Sequence, residues 1–224
     1  MSARLTTLDG LPAGIRTPGF ERRGRGAGIV HLGVGAFHRA HQAVYTDDAL
    51  ARSGGEWMIT GISLRSCDVA DALNPQSGLY TVLVRAGEGI SARVVGSIAT
   101  VLAAPREPAQ VLDALAAPST RIVSLTVTEK GYGFDPASGG LDRTRPEIIA
   151  DLATPARPTS VVGYLVAGLV RRRARGAPGL TVLSCDNLPG NGELVRRLVL
   201  EFARELDRDL ADWIAETVRF PSTM

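Results

Sequence analysis

The run GIVHLGVG at residues 28–35 constrains this chain more than any other stretch. A short segment that is apolar at almost every position suits a strand covered on both faces, as in a parallel sheet. It closes on Gly33-x-Gly35 and runs into a helical stripe at Phe37, Ala40, Val44, Asp47, Ala49 and Leu50. In such a strand–turn–helix the first glycine permits the tight turn and the second lets the backbone approach a pyrophosphate. His38 stands where a third glycine is usual. At this point a dinucleotide turn and a plain βα turn remain equally open.

The rest of the chain repeats the same alternation. WMITGISL (57–64), RIVSLTVT (121–128) and LTVLSCDN (180–187) read as strands, and TVRF (217–220) as another. Helices are expected over 36–52, from Glu107 to Ala116, over 158–176 with Gly176 as the stop, and over 191–209, with a short helical piece at 68–73. Residues 79–102 hold two β-rich runs about AGEG and predict an antiparallel hairpin. Residues 129–146 read as a loop rich in Gly and Asp. Strands alternating with helices give an α/β fold, Rossmann-like, with a doubly wound, mostly parallel sheet and one inserted antiparallel hairpin. Residues 1–27 form an irregular arm of Gly, Pro and Arg, and residues 28–224 one domain. The abrupt ending VRFPSTM is that expected of a piece of a longer polypeptide.

Composition excludes several function classes. A net charge of +2 and 5% aromatic residues give neither the field nor the stacking surface of a nucleic-acid binder. No apolar run is long enough for a signal peptide or a bilayer span. Cys67 and Cys185 are far apart and fit no metal or redox spacing, so a reducing compartment, the cytoplasm, is expected.

Polar groups gather at the expected strand ends, where open α/β sheets bind ligands. After the second strand come Arg65 and Asp68. Asp68 could hold ribose hydroxyls, although it follows Gly35 by more than the usual ~20 residues. A helix-capping role is equally compatible with its position. Arg65 could accept a 2′-phosphate. Thr128, Glu129 and Lys130 follow the central strand, and a solvated loop is the plainer account of them. Asn187 and Asn191 follow LTVLSC and could donate to a developing alkoxide, Asn191 being better suited to a turn or cap. His38 and His41 share a helix face but lack a third ligand, so no metal site is expected. RRRAR (171–175) suits a solvated helix end.

IVHLGVGAFHRAHQAVYTDDAL, GISLRSCDVADAL, RIVSLTVTEKGYG, TVLSCDNLPGNG and FPSTM together resemble the mannitol dehydrogenase family, the zinc-independent long-chain polyol dehydrogenases that include mannitol 2-dehydrogenase, arabinitol dehydrogenase and fructuronate reductase. The resemblance runs in order from about Gly28 to Met224. It implies an NAD-dependent enzyme, with NADP possible, that interconverts a sugar alcohol or hexonate and its ketose or keto acid. It implies cofactor contacts at Gly33, Gly35, Phe37, His38, Asp68 and Glu129, and Ala36, Arg65 and Thr128, which stand beside them in the same blocks, complete the expected cofactor site. Asn187 is implied to steady the substrate oxygen in the transition state. Cys67 stands where the family's first ribose-binding acid would be, which weakens repulsion of a 2′-phosphate. The family's general base is a lysine of a second, helical domain, and Lys130 belongs to a different block. The expected partners are therefore a small polyol or sugar acid, with neither nucleic acid nor membrane. A catalytically silent nucleotide-binding fragment is the alternative.

Overall fold

Strand β1 (Ala27–Leu32) lies at the centre of a five-stranded sheet because both of its faces are apolar: Ile29 points to one side, Val30 and Leu32 to the other, all buried. The computed structural model describes residues 4–87 and 89–224, and only the backbone of residues 129 and 130. β2 (Met58–Ser63), β5 (Ile98–Ala103), β6 (Ile122–Leu125) and β9 (Thr181–Ser184) complete the sheet in the order β5-β2-β1-β6-β9, every neighbour pair parallel. This is the doubly wound Rossmann arrangement. The order reverses between β1 and β6, which opens a crevice beyond their C-terminal ends.

Helices cover both faces. On one side α4 (Pro108–Ala116), α6 (Val161–Ala174), α7 (Asn191–Leu206) and α8 (Arg208–Thr217) bury Leu112, Leu165, Leu198, Phe202 and Ile214 against Leu32, Val123 and Val182. On the other, α2 (Gln42–Ser53), α3 (Asp68–Leu73) and the hairpin of β3 (Tyr80–Ala86) and β4 (Gly89–Val95) enclose Ile29, Val34, Ile59, Ile98 and Val101.

The structure corrects several boundaries. The helix expected over 36–52 breaks at His41 (φ −123°, ψ −91°) into α1 (Ala36–Ala40) and α2. The break lets His38 turn inward while His41 stays at the surface side. The expected hairpin is confined to 80–95, and the following β-rich run, β5, joins the parallel sheet instead. Residues 129–146 are less irregular than their Gly and Asp content suggests, with a 3-10 turn at Glu129–Tyr132 and a two-residue hairpin of β7 (Phe134–Asp135) and β8 (Gly140–Leu141). α5 (Pro146–Ala153) was hidden by its shortness, with Pro146 at its first position. The last long helix stops at Leu206, because Asp207 takes an extended conformation and caps α8 from its side chain. TVRF contributes a single bridge, Arg219 to Thr181, rather than a strand.

The arm crosses the β5 side of the sheet. Arg22 donates to the carbonyls of Gly96 (2.7 Å), Ser77 (2.5 Å) and Ile98 (3.0 Å), and burial lowers its pKa. Arg16 pairs with Asp48, which Arg93 also engages at 2.9 Å.

One buried carboxylate shapes the loop that leads into α6. Asp151 is fully buried and accepts hydrogen bonds from Thr159 N (2.8 Å), Thr159 Oγ1 (2.9 Å) and Ser160 N (2.8 Å); Ser160 in turn caps α6 through Gly163 N. Replacing Asp151 with alanine strands these donors. Urea unfolding should show D151A destabilised by about 3 kcal/mol, the scale of buried donors losing a charged acceptor.

Candidate functional site

The strand-end crevice holds a cavity of about 540 Å³, lined by Gly33, Val34 and Gly35 after β1, Ser63 to Ser66 after β2, and Thr126, Val127 and Thr128 after β6. Arg145, Glu147, Thr159, Ser160 and Val161 close it from the far side. A second cavity of about 740 Å³ adjoins it, sharing Leu64 and Thr159, and is largely apolar: Ala104, Pro105, Pro108, Leu112 and Tyr164 line it, with Arg157 and Arg171 at its rim. The two cavities are neighbours, meeting at Leu64 after β2 and at Thr159.

The turn is shaped by its surroundings. Gly33 has φ +95°, and a Cβ there would strike the Thr126 carbonyl, so only glycine is accommodated. Its N–H donates to Ile62 O at 2.9 Å, tying the turn to β2. Arg39 Nη1 donates to Val34 O at 2.7 Å from the α1 side. Gly35, Ala36 and Phe37 are exposed at the opening of α1.

The loop after β6 is held by a residue the sequence reading passed over. Asp186 accepts from Val127 N (3.0 Å), Thr128 N (3.1 Å) and the Tyr132 hydroxyl (2.6 Å). Burial together with the Asp186 carboxylate pushes the Tyr132 phenol upward, so it remains a donor. Thr128 is fixed at φ +66°, a conformation unusual for a β-branched residue. The polar triplet Cys185-Asp186-Asn187 at a strand end was the available signal for this clamp. Asn191, read as a turn or cap, lies within the first turn of α7 and donates to Asp186 O (2.9 Å) and Thr223 Oγ1 (2.8 Å).

The residues singled out from sequence divide among three places. Gly33, Gly35, Arg65 and Thr128 line the crevice. Phe37, His38 and Asn187 line a different hollow, an apolar groove of about 820 Å³ between α2 and the ends of β6 and β9, which meets the crevice at Thr126. Asp68 opens α3, exposed and with no capping bond, beside crevice residues Ser66 and Val69. The side chain of Glu129 lies outside the described residues.

His38 and His41 separate. His38 is fully buried and stacks on His31, with ring centroids 3.4 Å apart. His41 stacks on Phe37 at 5.1 Å and meets the edge of Tyr45 at 5.0 Å. Neither His38 nitrogen has a hydrogen-bond partner of normal geometry among the described residues. Burial drives the His38 pKa down to about 4; the neighbouring Gln42 amide pulls upward, while Arg39 and His41 push further down.

Comparison with known proteins agrees with this geometry. The family model described as the mannitol dehydrogenase Rossmann domain matches residues 27–224. The chain belongs to the mannitol dehydrogenase family. Its similarity extends to the oxidoreductase YeiQ of Escherichia coli K12, 47% identical over 96% of this chain and 44% of the relative. The mannitol 2-dehydrogenase of Cereibacter sphaeroides is 45% identical over 94% of this chain and 44% of that protein. Among solved structures, the Pseudomonas fluorescens mannitol 2-dehydrogenase, a ternary complex with NAD and D-mannitol, superposes with a TM-score of 0.88 at 42% identity, covering 93% of this chain and 43% of that one. The chain thus spans less than half the length of these family members. No helix among the described residues is long and apolar enough to cross a membrane.

The neutral His38 makes stability depend on pH. Its folded value of about 4 lies below the ~6.5 of an unfolded histidine, so between those values the unfolded chain binds protons that the folded chain refuses. Stability is therefore full above pH 6.5, falls as pH drops through the window, and levels off below about 4. His31, also lowered by burial, acts in the same direction. Urea titrations should find the His38 contribution reduced by about 2 kcal/mol at pH 5 relative to pH 7, with a shallower slope in H38F.

Proposed function

We propose that this chain is the dinucleotide-binding part of an NAD(P)-dependent oxidoreductase that interconverts a sugar alcohol or hexonate with its ketose or keto acid by hydride transfer. The observation that carries this reading is the crevice at the Gly33–Gly35 turn of the strand-order switch, with the largely apolar cavity that adjoins it at Leu64 and Thr159. A dinucleotide fits that lining: backbone at a tight glycine turn for the pyrophosphate, and Leu64, Ala104, Pro105 and Leu112 as an apolar seat for a base.

Gly33, Gly35 and Ala36 would bring main chain to the pyrophosphate, with Phe37 and His38 backing the turn. Arg65 and Asp68 would meet the adenosine ribose, and Thr128 with Glu129 would border the nicotinamide end. The bound nicotinamide supplies the hydride chemistry. Asn187 opens onto the groove that meets the crevice at Thr126, which suits an amide that donates to a substrate oxygen as negative charge develops on it. The substrate is a polyol or sugar acid, with no nucleic acid or membrane as partner. Two thiols without a disulfide favour a cytoplasmic location.

Titration of the chain with NADH and NADPH, followed by nucleotide fluorescence, tests the reading; a folded sample that binds neither would overturn it. Gly33→Ala should raise the Kd of whichever dinucleotide binds at least about tenfold, because the added Cβ has no room beside Thr126. Cys67→Glu, restoring a carboxylate next to Ser66, should shift preference towards NADH by about tenfold through repulsion of the 2′-phosphate. Assays with mannitol, arabinitol and fructuronate then report the reaction: turnover supports the oxidoreductase reading, and dinucleotide binding without turnover favours the silent fragment.

A further inference from the structure

Beneath the glycine turn lies a buried chain of hydrogen-bonding groups that belongs to the core rather than to the cleft surface. His31 and Ser124 are direct neighbours across β1 and β6, and both are fully buried. His31 Nδ1 is 2.8 Å from Ser124 Oγ. His31 Nε2 is 2.9 Å from Thr126 Oγ1 and 3.2 Å from the Gly33 carbonyl. Thr126 Oγ1 also donates to the Gly33 carbonyl, at 2.8 Å. Ser124 Oγ lies 3.1 Å from Gln42 Oε1 and, as the amide stands, donates to it.

Proton counting allows this chain two directions, and the hydrogen bond from Thr126 to the Gly33 carbonyl selects one of them. The Thr126 hydroxyl has a single hydrogen, and it goes to Gly33 O. Nε2 therefore faces two oxygens that can only accept, so it must carry a hydrogen. Burial lowers the His31 pKa well below the usual imidazole range, and a neutral imidazole has one N–H. Nδ1 must then accept, and Ser124 must turn its hydrogen towards Nδ1. Ser124 Oγ is left as an acceptor, so the Gln42 amide must be turned end for end, with NH2 in place of the Oε1 that faces the hydroxyl; the two ends of an amide have the same shape. Donation then runs without a break from Gln42 through Ser124, His31 and Thr126 to the Gly33 carbonyl.

We propose that His31, neutral and protonated at Nε2, is a positioning residue that acts with Thr126 to hold the Gly33 carbonyl, and with it the glycine turn, in the shape that binds a dinucleotide. The Gly33 carbonyl receives the Thr126 hydroxyl, the nearby Nε2–H and the Gly35 N–H (2.6 Å), which orients the peptide that leads into Gly35. Thr126 is well placed for this, since it lines both the crevice and the apolar groove.

The inference rests on the dinucleotide reading for its effect on affinity, and the test separates the two. Thr126→Val keeps shape but removes the hydroxyl, and should raise the NADH Kd at least about fivefold, whereas Thr126→Ser should stay within about twofold of the parent. His31→Gln, which can offer an N–H near the Nε2 position, should bind NADH more tightly than His31→Leu. Nitrogen-15 NMR of labelled histidine should show His31 as the Nε2–H tautomer at pH 7. A folded T126V that binds NADH like the parent would overturn the proposal. So would an Nδ1–H tautomer or a cationic ring, which can be read even if the variants do not fold. Failure of the parent to bind any dinucleotide would instead remove the reading of function, with the tautomer still deciding the His31 assignment.

Discussion

The close approach of the Thr126 backbone to Gly33 is the contact on which the site depends. β6 runs beside β1 in register, so its end presses against the turn that follows β1. Only a residue without a Cβ, at positive φ, can pass there. That contact sets where the chain leaves the sheet, where α1 begins and how wide the crevice stands between β1, β2 and β6.

Around it, two carboxylates, one fully buried and one half-buried, hold the loops that border the crevice. Asp186 gathers the amides of Val127 and Thr128, and Asp151 those of Thr159 and Ser160. Each organises one wall of the same cavity. A carboxylate accepting several main-chain N–H groups does this better than apolar packing could, because the bonds are directional and each fixes a particular main-chain N–H. Preorganisation of this kind reduces the ordering cost of binding.

Much of this was legible in the sequence. The central strand, the glycine turn and the alternation of strands and helices were carried by local pattern, because a doubly covered strand is apolar at most of its positions. Membership of the family followed from motifs that are contiguous in sequence. The placement of individual side chains was less visible. His38 and His41, three residues apart on an expected helix, point to different surroundings because the backbone breaks at His41. Asn187, read as part of the same strand-end cluster as Thr128, opens onto a separate groove. The β-rich run after the hairpin gave no local sign that it would leave its neighbour and join the parallel sheet.

Sequence alone therefore determined the class of fold, the position of the turn and the need for glycine at residue 33, since these rest on periodicity and on backbone conformations that few residues adopt. Tertiary structure decided what lies under the turn and what walls the crevice. His31, Ser124, Thr126 and Gln42 come from β1, α2 and the β6 region, and nothing in their separate contexts says that they meet. Hydrogen bonds between distant segments depend on register and strand order, which are fixed only when the whole sheet assembles.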